Sequence, residues 1–133
     1  MKPSKQSPLT LLALTVLLSS ALAIPSVMAV SSGVYHTVVF WLKPGTPDQK
    51  VDAIIESIKS LEALPMVEKV MVGTAVMSDR AVVDDSFSIA FTMIFKDEAA
   101  LSAYSADPTH KKISSEMTMP YVDRGIIYDY KSR

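Results

Sequence analysis

Between residues 34 and 130 the hydrophobic pattern switches repeatedly between a period of two and a period near 3.6. Val34 to Lys43 (VYHTVVFWLK) alternates weakly and is rich in β-branched and aromatic residues, which predicts a strand. One face carries Val34, His36, Val38, Phe40 and Leu42; the other carries Tyr35, Thr37, Val39, Trp41 and Lys43. Both faces are largely apolar, so both are expected to be covered. Thr46-Pro47-Asp48-Gln49 reads as a helix start, with Thr46 as the cap, Pro47 at the first helical position and Gln49 completing a capping box. Val51, Ile54, Ile55, Ile58, Leu61 and Leu64 then form one stripe, opposite Asp52, Glu56 and Lys59, until Pro65 ends the helix.

Val67 to Met77 predicts a second strand, in which Gly73 signals a bulge or a close approach. Ser78 to Asp85 is a polar loop, and Ser86 to Phe95 predicts a third strand that forms a hairpin with the second. Asp97 caps a short helix through Tyr104. Asp107-Pro108 starts another, whose inward stripe reads His110, Ile113 and Met117; Pro120 ends it. Tyr121 to Tyr130 predicts the last strand. The order β-α-β-β-α-β, with the second α broken in two, is the α+β ferredoxin-like arrangement with one antiparallel sheet. Such a sheet has helices on one face only. A second face as apolar as this one predicts burial against another copy, hence a homodimer that closes two sheets into an α/β barrel.

Composition narrows the function more than it names it. The 133 residues are 49% hydrophobic and carry a formal net charge of −1, two histidines and no cysteine. That is one domain. The missing cysteine excludes disulfides, thiolate metal sites and Cys nucleophiles. Near-neutral charge argues against nucleic acid as a partner. There is no Gly-rich phosphate loop and no G-x-S-x-G. The eight methionines are explained as soft core filler.

Residues 1–29 read as a signal peptide rather than as part of the domain. Lys2 and Lys5 are the last charges before Lys43, Leu9 to Leu18 is an apolar core, and two A-x-A-like sites follow. Cleavage after Ala29 is preferred over Ala23, because Pro25 ends the apolar helix. The alternative is an uncleaved anchor, for which the stretch from Pro8 to Ile24 is short and interrupted by Ser19 and Ser20. Removing both lysines leaves 11 basic and 14 acidic residues, a net charge of −3. The expectation is an exported protein, periplasmic or secreted, with no stable membrane span after cleavage.

The chain from Val34 to Tyr130 resembles the stress-responsive dimeric α/β-barrel domain family. The resemblance is carried by the first strand, by Leu61 to Pro65, by Val72-Gly73, by Tyr104 with Asp107-Pro108-Thr109-His110, and by Ile127-Tyr128-Asp129-Tyr130. It implies a homodimer with a cavity between sheet and helices in each subunit. Olivetolic acid cyclase, an enzyme of that family, uses a Tyr and a His in the Tyr-x5-His frame present here as Tyr104 and His110, with a first-strand His at the place of His36. A further pocket His of that enzyme falls at Ile89 here.

Three side chains are therefore candidate catalytic or pocket residues: His110, Tyr104 and His36. His110, in a first helical turn, faces the positive end of the helix dipole, and burial would add to the disfavour of imidazolium. A neutral imidazole of that kind can act as a general base, or it can simply hold the loop after Asp107. Tyr104 can relay a proton to His110 or reach water. His36, among Val and Phe, is either a core residue or a positioning group. No inward-facing acid is expected, so no metal site is, and no cofactor is implied. The reading is a homodimeric domain that binds a small apolar molecule in a sheet–helix cavity. The alternatives are a cofactor-free enzyme doing cyclase- or isomerase-type proton transfer, and, by fold analogy alone, a cofactor-independent monooxygenase.

Overall fold

A computed structural model describes residues 33–133; the expected signal peptide lies outside the described residues. Four strands form one antiparallel sheet: β1 (Val34–Leu42), β2 (Lys69–Gly73), β3 (Ile89–Phe95) and β4 (Val122–Lys131), in the order β2-β3-β1-β4. Helix α1 (Asp48–Ser60) follows β1, and α2 (Glu98–Ala106) and α3 (Pro108–Ile113) lie between β3 and β4. This is the ferredoxin-like order read from the pattern, with the break between α2 and α3 at Asp107-Pro108.

β1 sits in the middle, and both its neighbours hold it in register. Val38 pairs with Phe91 of β3 and with Ile127 of β4; His36 pairs with Met93 and Asp129. Paired residues share a face, so the parity of β1 sorts the whole sheet. Val34, Val38, Ile89, Phe91, Met93 and Phe95 face the helices and are buried with Ile54, Ile58, Leu61 and Tyr104. The stripe of α1 packs against them as expected, with its last residues tightened into a 3-10 turn at Leu61–Ala63 before Pro65.

The opposite face carries cross-strand pairs of its own. Tyr35 stacks on Tyr130 with ring centroids 5.1 Å apart, and the Thr37 and Thr92 hydroxyls meet at 2.9 Å. The Arg124 guanidinium lies 3.7 Å over the Trp41 ring. No helix covers this face among the described residues, and Tyr128 and Tyr130 remain 56% and 53% exposed.

Three local expectations change. Thr46 does not cap α1: its hydroxyl donates back to the Lys43 carbonyl at 2.7 Å, and Pro47 takes the cap position with no side-chain hydrogen bond. The turn that places Thr46 there passes through Gly45 at φ 81°, a left-handed conformation that suits glycine. Gly73 forms no bulge; it ends β2 opposite Ala90, in open space. Met117 does not continue the inward stripe of α3. The helix widens into a π turn at Ser114–Thr118, which inserts a residue and turns Thr118 inward instead.

The corner between α2 and α3 is held by one carboxylate. Asp107 is extended (φ −61°, ψ 131°), closes α2 through its own N–H and accepts from the Thr109 and His110 N–H groups at 2.8 and 3.0 Å. Asp107→Ala should destabilise the fold by about 1–2 kcal/mol. For a domain of this size that is a fall in Tm of roughly 4–15 °C in a thermal melt. A melt superimposable on the wild type would show that the cap is dispensable.

Candidate functional site

Helices and sheet do not meet everywhere. A cavity of about 430 Å³ remains between them, walled by Val38, Phe40 and Phe91 of the sheet, Ile58 and Leu61 at the end of α1, and the α2–α3 corner. His36, Tyr104 and His110 all line it. So do Ser114 and Thr118 from the π turn, which sequence reasoning did not single out. Met119 and Ile127 line it too and are 50% and 58% exposed, which places the mouth beside the edge strand β4. Gly125 makes room in the wall: a Cβ there would stand 3.0 Å from two ring carbons of Phe40.

The Asp107 corner explains why two residues six apart in sequence touch. Tyr104 lies in the last turn of α2 and His110 in the first turn of α3, and the reversal between them stacks their rings with centroids 4.1 Å apart and planes 27° apart. His36 reaches them from β1, its ring centroid 6.0 Å from that of Tyr104. The three predicted residues are therefore neighbours in one cavity.

Asp129 adds an acid beside the site that the pattern did not single out, half-exposed and not lining the cavity. It stands opposite His36 in the β1–β4 register, and the His36 Nδ1–H donates to its Oδ1 at 2.6 Å. The contact fixes the ring orientation and leaves Nε2 with no hydrogen bond among the described residues. The signal was present as parity: Asp129 alternates with Ile127, on the face that β1 turns to the helices. Among the described residues no three of His, Asp and Glu come together as metal ligands.

Burial governs the titration of the other two groups. It pushes the His110 imidazole below its ordinary range; the nearby Tyr104 carbonyl favours the protonated ring and offsets part of this, while His36 adds to the lowering. The same carbonyl accepts from the Asp107 N–H, and the buried His110 Nδ1 makes no hydrogen bond to a described residue. Burial also raises the Tyr104 phenol far above its ordinary range, helped by the negative charge of Asp107. At neutral pH the site therefore presents a neutral imidazole against a protonated phenol.

The match of residues 34–132 to the stress responsive A/B barrel domain places the chain in that family. A Mesorhizobium loti protein of the same family with a ferredoxin-like fold is 25% identical, covering 76% of this chain and 98% of its own, with a TM-score of 0.63. A hydroxynitrile lyase from Passiflora edulis is 21% identical over 77% of this chain and 95% of its own, with a TM-score of 0.67. A dimeric ferredoxin-like protein from Bacteroides fragilis is 19% identical over 76% and 97%, with a TM-score of 0.62. No curated protein sequence matches.

A depressed histidine pKa makes a checkable pH prediction. The unfolded state binds a proton near pH 6.5, whereas folded His110 binds it only at lower pH. The stability associated with neutral His110 is complete above about pH 6.5 and declines as the pH falls below it. An NMR titration should show the His110 ring resonances moving below the ordinary histidine range. A midpoint at or above 6.5 would contradict the burial argument.

Proposed function

We propose that this domain is the subunit of a homodimer and binds a small, largely apolar molecule in the cavity, with His110 and Tyr104 meeting its polar end. The observation that carries the reading is the convergence of His36, Tyr104 and His110 on one apolar space of about 430 Å³, the low end of the usual size for small-molecule pockets. A structural histidine would be expected to satisfy its buried nitrogen. His110 instead leaves Nδ1 without a partner.

A second reading has its own support: proton transfer without a cofactor. A neutral imidazole can accept a proton from carbon next to a carbonyl, and a phenol held in its protonated form can donate a hydrogen bond to the enolate oxygen that results. The His36–Asp129 pair would orient the substrate between them. The Passiflora edulis neighbour, a hydroxynitrile lyase, supports an enzyme on this fold without specifying the reaction here. Acetophenone, 2-heptanone and cyclohexanone are suitable probes. At least one should shift the NMR signals of cavity residues, and its α-protons should exchange in D2O faster with protein than in buffer. His110→Ala should abolish the exchange and Tyr104→Phe slow it by at least tenfold. Binding without exchange leaves the first reading alone; no binding by any of the three refutes it.

Dimerisation is supported by the exposed aromatic face of the sheet and by the dimeric Bacteroides fragilis neighbour. Export is supported by the pattern of residues 1–29. Light scattering and intact-mass measurement on protein recovered from the exported fraction test both. The expected particle is a dimer of chains beginning at Val30, which Tyr128→Asp converts to folded monomers. A wild-type monomer at micromolar concentration would rule out the dimer, and a chain retaining Met1 would rule out cleavage.

A further inference from the structure

Thr118 is buried, only 4% exposed. It lines the cavity, yet its hydroxyl makes no hydrogen bond to any described residue. Among the described residues only His110 Nδ1 is a fully enclosed side-chain polar atom without a partner, so the Thr118 hydroxyl keeps some access to the cavity space, and a valine of the same shape would fill its place in the wall without it. Its position is itself unusual. Continued as an α-helix from His110, the inward stripe would present Met117, seven residues on, to the cavity. The π turn at Ser114–Thr118 adds one residue to the turn, so Met117 is 36% exposed and Thr118 points in. The backbone thus adopts a rare geometry that exchanges an apolar side chain for a hydroxyl with no protein partner at the wall of a largely apolar space.

We propose that Thr118 is a ligand anchor and a specificity-determining residue, so that the cavity selects apolar molecules with two oxygen functions. One oxygen meets His110 and Tyr104, and the other meets the Thr118 hydroxyl. This rests on the small-molecule reading above and names the ligand class it requires. Eight residues separate His110 from Thr118, which at the helical rise spans about 10–12 Å along the chain. Residues set that far apart along the backbone are matched by the two ends of a short chain rather than by two atoms of one group. A hydroxyl can both donate and accept, so the second function can be an alcohol or a carbonyl.

Heptan-1-ol and heptane-1,7-diol probe this directly, because they share an apolar body and differ in the second oxygen. Dissociation constants from NMR titration are compared for wild type, Thr118→Val and Thr118→Ser. The ratio of the heptan-1-ol constant to the heptane-1,7-diol constant should be about fivefold larger in wild type than in Thr118→Val, the worth of one neutral hydrogen bond. Thr118→Ser should restore it. The ligand-free Tm of Thr118→Val should equal or exceed that of wild type. If both alcohols bind and the ratio is the same in wild type and Thr118→Val, the anchor is refuted while the binding cavity stands. If Thr118→Val lowers the Tm by several degrees, the hydroxyl serves the fold and the inference fails. Absence of binding by either alcohol to wild type overturns it together with the small-molecule reading.

Discussion

The parity of β1 constrains everything else. It lies inside the sheet, antiparallel to β3 on one side and to β4 on the other. A slip of one residue would exchange its two faces, placing Tyr35 and Trp41 under the helices and His36 against solvent. The apolar pattern resists that slip strongly on the helix side, where Val34 and Val38 fit a closed core. On the other side the resistance comes from specific pairs: the Tyr35–Tyr130 stack, the Thr37–Thr92 hydrogen bond and the Arg124–Trp41 contact. The same parity that buries the core brings Asp129 to His36. Site and fold are set by one register.

The second constraint is the Asp107 corner. Six residues of continuous α-helix between Tyr104 and His110 would separate them by about 9 Å along the axis and turn them onto different faces. An extended Asp107 followed by a proline reverses the chain instead. Its carboxylate satisfies two of the N–H groups that a new helix leaves free, so the reversal needs no other partner. Tyr104 and His110 then stack as a consequence of the turn. This is also why His110 is held neutral: the stacking on Tyr104 buries its ring, and burial disfavours the charged imidazolium.

The sequence made the element order legible because each switch of hydrophobic period has its own punctuation, most clearly at Pro65 and Asp107-Pro108. The candidate trio was legible as well, through residue type and the inward stripes. What the pattern hid were features that depend on three-dimensional register. Asp129 reads as one acid in a strand that also carries Asp123 and Arg124, and only its pairing opposite His36 gives it a role. Thr118 was hidden because a period of 3.6 extrapolated from His110 falls on Met117, and a π turn has no compositional signature. Thr46 failed as a cap because its hydroxyl found the Lys43 carbonyl behind it first.

The cavity wall argues against plain structural filling. A small domain has little stability in reserve, and an empty apolar space beneath its sheet forfeits packing contacts that larger side chains would have made. Gly125 enlarges that space by letting the Phe40 ring lie back against β4, where any other side chain would push it forward. The polar groups facing the space add a further cost, since His110 Nδ1 is buried without a partner and the Thr118 hydroxyl makes no hydrogen bond to a described residue. A core selected for stability alone would remove each of these by single substitutions: a larger residue at Gly125, Val at Thr118, an apolar side chain at His110. Their combination around one opening is the arrangement expected when a bound molecule supplies the missing contacts and partners, and the free protein bears the cost between binding events.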